Sequence, residues 1–315
     1  ILDLFERVCT QMTSVSDRQT RTSRHTGTSC LLCASKQFTS DERFPPGEWG
    51  LRSCRICGLV ETCPFPTKEQ RLAENRAKYG GAFLAMQQGH EAGNHRIHRR
   101  ALAEITKAAK SPGRRLLDVG CGAGQFLRAA IQAGWDAEGL ELNWANATAV
   151  SESGMRVFTG TIEEAAYPSR TFDVVTLWDV LEHVDDPMTF LKETLRVLKP
   201  DGLVFLQSPN IHSDVAACWG IRWPWLCLPD HLYHFNPDTI RLLFEKAGFV
   251  VHNVYTWEPM ISRVKSIANR RAGASTGEKL VRILLGLAPA AICRLAGANS
   301  RRMGLLRAIA YKRGR

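Results

Sequence analysis

The sequence predicts an α/β protein built on one mostly parallel sheet, with a small cysteine-rich module ahead of it. Three observations carry this. From Arg114 onward, short apolar runs alternate with helical stretches, the pattern of parallel strands joined by crossover helices. A glycine-rich turn, Gly120-Cys121-Gly122-Ala123-Gly124, falls between the first strand and first helix of that pattern. Upstream, Cys30-x-x-Cys33 and Cys54-x-x-Cys57 are separated by 20 residues.

The elements follow in order. Residues 1–29 are rich in Ser, Thr and Arg, contain no apolar stretch of the kind a secretory signal needs, and read as disordered. Residues 30–66 read as a zinc ribbon. Each CxxC turn aims two thiolates at one point, and two turns complete a tetrahedron around structural Zn2+ at Cys30, Cys33, Cys54 and Cys57. Four thiolates leave no open coordination position, and so short a segment needs the metal to fold. Residues 67–110 read as a helical cap or linker. They contain the run His90-Glu91-Ala92-Gly93-Asn94-His95-Arg96-Ile97-His98, whose histidines fit a polar helix face better than a metal site.

The main domain then spans 111–315. Its strands are expected at 116–119, 136–140, 155–158, 172–177 and 202–207, with helices starting near Ala123, Trp144 and Pro187. A helix over 237–247 ends at Gly248, a glycine stop signal, and strands at 249–255 and 305–311 complete the set. Between those two strands lies a basic insertion, 260–303.

The glycine turn narrows the ligand. A dinucleotide loop needs G-x-G-x-x-G, but here the glycines fall at 120, 122 and 124, so the third is one residue early. Asp118 stands two residues before the first glycine, and a carboxylate there suits a cation better than a pyrophosphate. About 20 residues on, the second strand ends in Glu141, an acid placed to accept hydrogen bonds from ribose hydroxyls. Together these favour S-adenosylmethionine (SAM), which carries a sulfonium and an ammonium and no phosphate.

The run Leu116-Leu117-Asp118-Val119-Gly120-Cys121-Gly122-Ala123-Gly124 resembles the first motif of class I SAM-dependent methyltransferases. Leu140-Glu141-Leu142-Asn143 resembles the ribose-binding end of their second strand. The segment from Phe172 through Trp178-Asp179-Val180-Leu181-Glu182-His183-Val184 resembles their fourth strand and its loop, and Leu198-Lys199-Pro200-Asp201-Gly202 their turn into strand five. The resemblance runs over about 114–258 and rejoins near 304. It extends to ubiquinone-pathway O-methyltransferases and, through the ribbon and its Cys-x-x-Cys-Gly-Leu ending, to sugar-modifying methyltransferases. It implies a Rossmann-like sheet with an antiparallel last strand. It also implies SAM contacts from Asp118, Gly120, Cys121, Gly122, Gly124, Glu141 and Leu142, adenine contacts from Thr161 and Ile162, and a cofactor–substrate junction at Trp178 and Asp179.

Methyl transfer to a hydroxyl needs alignment of nucleophile, methyl and sulfur, and a base for the proton. His183, beside Glu182 after the fourth strand, is the first candidate. His231 and His234, in Asp230-His231-Leu232-Tyr233-His234, are the others. Each has a structural alternative, as a cap or as packing. The acceptor expected is a small molecule, sugar or lipid-linked hydroxyl. The chain lacks the Asn/Asp-Pro-Pro-aromatic motif of nucleobase-amine enzymes after its fourth strand, which argues against nucleic acid; an RNA methyltransferase and a non-catalytic binding module stand as alternatives.

Net charge is +10, yet residues 261–315 alone hold 13 Lys/Arg against Glu278. That tail predicts peripheral contact with an anionic membrane at its inner face, or a solvated surface. The ten cysteines without a secretory signal favour a reducing cytoplasm. The aromatic stretch Trp219–Pro229 reads as a substrate lid, an interfacial anchor or a hydrophobic plug over the sheet edge.

Overall fold

The computed structural model describes residues 29–41, 44, 48–67, 69, 70, 73, 91–110, 113–223, 225–257 and 301–314. Residues 1–28 of the segment expected to be disordered, His90, and nearly all of the basic insertion lie outside them.

The chain forms two compact units. The first comprises the described residues within 29–65, 209–239, 255–257 and 301–307; the second comprises those within 66–208, 240–254 and 308–314. In the first, β1 (Phe38–Ser40), β2 (Gly50–Cys54) and β3 (Val60–Cys63) form an antiparallel meander. A two-residue strand from far along the chain, β9 (Tyr233–His234), pairs antiparallel with β3 and completes a four-stranded sheet. Phe44, Leu51 and Val60 bury their side chains with Ile211, Val215, Ala216, Trp223 and Leu226. The aromatic stretch is therefore packing, but its partner is the ribbon. At about 1.5–3 kcal/mol for each fully buried large side chain, this shared core gives the ribbon apolar support that its own residues are too few to provide. Helix α5 (Asp214–Trp219) is capped by Ser213, whose hydroxyl accepts from the Ala216 N–H at 3.0 Å.

The second unit carries the larger sheet. Its elements are α1 (Glu91–Ala108), β4 (Arg115–Val119), α2 (Gln125–Gln132), β5 (Asp136–Glu141), α3 (Trp144–Glu152), β6 (Val157–Thr159), β7 (Phe172–Trp178) and α4 (Pro187–Val197). β8 (Leu198–Pro209), α6 (Pro237–Lys246), β10 (Phe249–Trp257) and β11 (Leu305–Lys312) follow. The strand order is β10-β11-β8-β7-β4-β5-β6. β4 pairs in parallel with β5 and β7, β5 with β6, and β7 with β8, while the last strand runs antiparallel. The central strands are apolar on both faces: Leu116, Leu117, Val174, Val175, Leu177 and Leu203–Leu206 are all fully buried. Continuous burial is why these runs show no period-2 alternation.

Side-chain caps set the helix starts. Asn143 Oδ1 accepts from the N–H groups of Ala145 and Asn146, and Asp186 Oδ1 from those of Met188 and Thr189, with Pro187 at the first helical position. At the amino edge, buried Asp173 accepts from the Arg115 N–H at 2.9 Å and pairs with Lys199 at 2.8 Å, tying β4, β7 and the start of β8 together. Among the described residues, no helix is long and apolar enough to cross a membrane.

Candidate functional site

Because β4, β5, β6 and β7 are parallel and in register, the segments after them emerge at one edge of the sheet. There the glycine turn, Glu141, Thr161 and the stretch Trp178–His183 follow successive strand ends, the place where open α/β sheets bind ligands.

The glycine turn is fixed from beneath. The N–H groups of Gly120 and Cys121 both donate to the Leu140 carbonyl, at 2.7 and 3.1 Å. The Gly122 N–H donates to Glu141 Oε2 at 2.8 Å, and the Asn143 N–H to Glu141 Oε1 at 2.8 Å. Both glutamate oxygens are thus held in place, each with a further lone pair to offer. Two glycines have no substitute. Gly120 has φ +68°, and a Cβ there would lie 2.5 Å from Val180 Cγ2. Gly124 caps α2 in the left-handed conformation, and its Cβ would meet Met155 Cε at 2.7 Å.

The edge concentrates buried acids. Asp118 is buried and accepts from the Thr176 hydroxyl at 2.7 Å. Burial pushes its pKa up to about 7, against the Thr176 hydrogen bond and helped by the nearby Glu141 charge. Burial raises Glu141 as well, while the N–H groups of Asn143, Gly122 and Leu142 oppose it. Burial raises the Cys121 thiol, so it is an inert wall, its sulfur packed where a Gly139 side chain would go. Two neighbouring buried carboxyls with pKa values raised by burial mark this edge as a candidate functional site.

The other expected residues are distributed around this pair. Leu142 is 48% exposed at the edge, while Ile162 is buried. The Thr161 N–H donates to Glu164 Oε2 at 2.8 Å. Asp179 sits in the left-handed region at φ +52°, a strained conformation for a non-glycine residue. Its N–H donates to the Gln207 carbonyl at 2.9 Å and its Oδ2 accepts from Gln207 Nε2 at 3.2 Å. Trp178 packs edge-on or tilted against Phe126, Phe205 and His98, with ring centroids 4.9, 5.2 and 5.4 Å away. His98 comes from the cap helix α1, whereas His95 is exposed. The sequence alone reads the histidine run as one polar face; the turn of the helix assigns His98 to the aromatic cluster instead.

The three candidate bases have different settings. His183 ends a single 3-10 turn, Leu181–His183, directly after buried Glu182. Burial lifts Glu182 to about 8; the His183 charge opposes this and Asp179 adds to it, and the Ser208 hydroxyl donates to Glu182 Oε2 at 3.0 Å. His231 and His234 belong to the first unit. Both are buried, with ring centroids 6.2 Å apart. Thr176 and Gln207, which hydrogen-bond Asp118 and Asp179, are not singled out by the sequence because they lie inside strands.

In the first unit, Cys30 Sγ lies 3.4 Å from Cys57 Sγ and Cys33 Sγ 3.4 Å from Cys54 Sγ. All four sulfurs fall within 4.8 Å of one another, and all four cysteines are free. A tetrahedral Zn2+ with bonds of about 2.3 Å sets its sulfurs about 3.8 Å apart, so the donor set fits. Burial raises the Cys30 thiol and holds Cys57 at about 11. At Cys54 burial is outweighed by the N–H groups of Cys57 and Ile56, which bring it down to about 7.

Comparison with known proteins agrees with this geometry. A family model described as a methyltransferase domain matches residues 94–254. The chain is 30% identical over 189 residues to a ubiquinone biosynthesis O-methyltransferase of Cereibacter sphaeroides, covering 53% of this chain and 76% of that protein. It is 36% identical over 168 residues to the enzyme of the same description from Bordetella avium, covering 49% and 70%. The chain is a class I SAM-dependent methyltransferase. In fold, the methyltransferase also resembles a solved structure described as a complex between the Haloferax volcanii Trm112 methyltransferase activator and the putative methyltransferase. That likeness has a TM-score of 0.53 at 17% identity, over 74% of this chain and 96% of the other. SAM is the cofactor of the family.

Proposed function

We propose that this methyltransferase transfers the SAM methyl group to a hydroxyl of a small-molecule, sugar or lipid-linked acceptor, with a histidine as general base. The observation that carries this reading is the buried Glu182 beside His183 at the carboxyl end of β7. SAM supplies a methyl group already activated on a sulfonium. What remains for the chain is to hold the cofactor, exclude water and remove one proton. Gly120, Cys121, Gly122 and Gly124 give the amino-acid end of SAM a close backbone approach; Asp118 offers its cationic end a carboxylate. Glu141 takes the ribose hydroxyls, Leu142, Thr161 and Ile162 flank the adenine, and Trp178 and Asp179 border the methyl. His183 accepts the acceptor's proton, and the Glu182 carboxylate beside it, when ionised, offsets the imidazolium charge. The O-methyltransferases among the relatives support oxygen as the methylated atom. Zn2+ at Cys30, Cys33, Cys54 and Cys57 is structural.

The test is to incubate the protein with methyl-labelled SAM and host extract and identify the labelled product, then repeat it with His183→Ala, His231→Ala and His234→Ala. A methyl ether is expected, with turnover reduced about 100-fold or more in the variant lacking the base. A labelled amine or carbon, or full turnover in all three variants, would contradict the proposal.

A further inference from the structure

We propose that Thr62 is a positioning residue that locks His234 as its Nε2–H tautomer, so that Nδ1 is the only ring nitrogen of neutral His234 able to accept a proton. The inference rests on the reading of a histidine as base and narrows it.

The argument is proton bookkeeping inside the first unit. Thr62 lies on β3 and is fully buried, and β3 pairs with β9 in the register Val60↔His234, Glu61↔Tyr233. Three bonds join Thr62 to this distant stretch. Its N–H donates to the Leu232 carbonyl at 3.0 Å, its hydroxyl donates to the His231 carbonyl, and its Oγ1 lies 3.1 Å from His234 Nε2. A threonine hydroxyl has one proton. With that proton committed to the His231 carbonyl, Oγ1 can only accept at its other contact. His234 Nε2 must therefore carry a hydrogen, and the neutral ring keeps its lone pair on Nδ1.

The same bonds make the four-cysteine ribbon more than an appendage. Thr62 is opposite Leu51 on β2, and β2 ends in Cys54, one of the four cysteines of the metal set. The strand that orients the His231–His234 stretch is thus held by the cysteine turns. The ribbon's contribution to catalysis would be to aim a histidine, without itself touching the acceptor.

The test uses full-length protein labelled with 15N-histidine, observed by two-bond nitrogen–proton correlation at pH 8. His234→Asn assigns the signal. The expected pattern is a pyrrole-type Nε2 and a pyridine-type Nδ1 in the wild type and in Thr62→Ser, with that preference lost in Thr62→Val, whose methyl cannot accept. A wild-type Nδ1–H tautomer, or a Thr62→Val spectrum like the wild type, overturns the proposal. Turnover separates it from the reading beneath it. If His234 is the base, Thr62→Val lowers kcat about tenfold at unchanged KM for SAM, and Thr62→Ser restores it. A tautomer lost without any change in kcat supports the lock and removes His234 from the chemistry.

Discussion

Lowering the pH from 7 to 5.5 should weaken SAM binding about fifteenfold through buried Asp118, with Glu141 adding to the effect. In the free protein Asp118 titrates at about 7, because burial opposes its charge and Glu141 adds to the effect. A cation bound beside it favours the ionised form, so binding is linked to loss of the Asp118 proton. Below its pKa each pH unit costs about 1.4 kcal/mol, or a factor of ten. The SAM ammonium, an α-amino group of ordinary pKa about 7.7–8.0, stays charged throughout this window. Titration calorimetry at fixed ionic strength measures the effect, and buffers of different ionisation enthalpy report the released proton. Glu141 is also raised and adds to the slope, so Asp118→Asn isolates the term. That variant should lose most of the pH dependence and bind about thirtyfold more weakly at pH 7, the worth of one charge-assisted hydrogen bond of about 2 kcal/mol. The sign for stability is opposite. A carboxyl whose pKa rises on folding costs nothing below its unfolded value of 3.8, and its cost grows as pH rises to about 7. The free Asp118→Asn protein should therefore be more stable than wild type at pH 7, by on the order of a few kcal/mol. A SAM affinity that is flat from pH 7 to 5.5, or a slope unchanged in Asp118→Asn, would refute this reasoning.

Gly120→Ala should lower the urea midpoint by the equivalent of about 1–2 kcal/mol for the left-handed backbone alone, and more for the clash with Val180. Adding Val180→Ala should recover the clash but not the backbone cost. Asp173→Ala should destabilise by about 2–3 kcal/mol, since it removes the partner of Lys199 and the acceptor of the Arg115 N–H; denaturant unfolding checks this. Native protein should contain one zinc per chain by elemental analysis. Chelation should lower the thermal midpoint and shift tryptophan emission to the red, because the cysteine turns hold strands packed on buried Trp223. A chelated protein with unchanged melting and emission would count against a structural metal.

The large sheet is legible in the sequence because its signals are local. Continuous apolar runs mark β4, β7 and β8, Asn143 and Asp186 cap helices at the expected starts, and Gly120 and Gly124 adopt the positive φ that only glycine accepts without strain. Strand edges differ from expectation by one or two residues, and β8 begins four residues early, at Leu198, which pairs with Phe172 ahead of a register shift in the β7–β8 ladder. Facts that depend on distant pairing are not legible. β9 is two residues long and joins the ribbon from more than 160 residues away, and no spacing rule announces that. The aromatic stretch at 219–229 reads as apolar covering, but nothing local marks it as the ribbon's core. Burial of Glu182 and Asp118 also has no sequence signal, because an acid reads the same whether it faces water or lies beneath a glycine turn. The three histidines are named from sequence, with His183 first for its neighbour Glu182, but contacts such as that of Thr62 with His234 come from distant pairing and have no sequence signal.

SAM affinity of Glu141→Ala against wild type, measured by equilibrium dialysis with labelled SAM, bears most directly on the claim that the glycine turn and Glu141 hold the cofactor. Glu141 accepts from the Gly122 and Asn143 N–H groups, and in the proposed site its two oxygens also take the ribose hydroxyls. The account predicts one SAM per wild-type chain and at least about a hundredfold loss of affinity in the variant, the equivalent of two charge-assisted hydrogen bonds. Unchanged affinity in Glu141→Ala would contradict it.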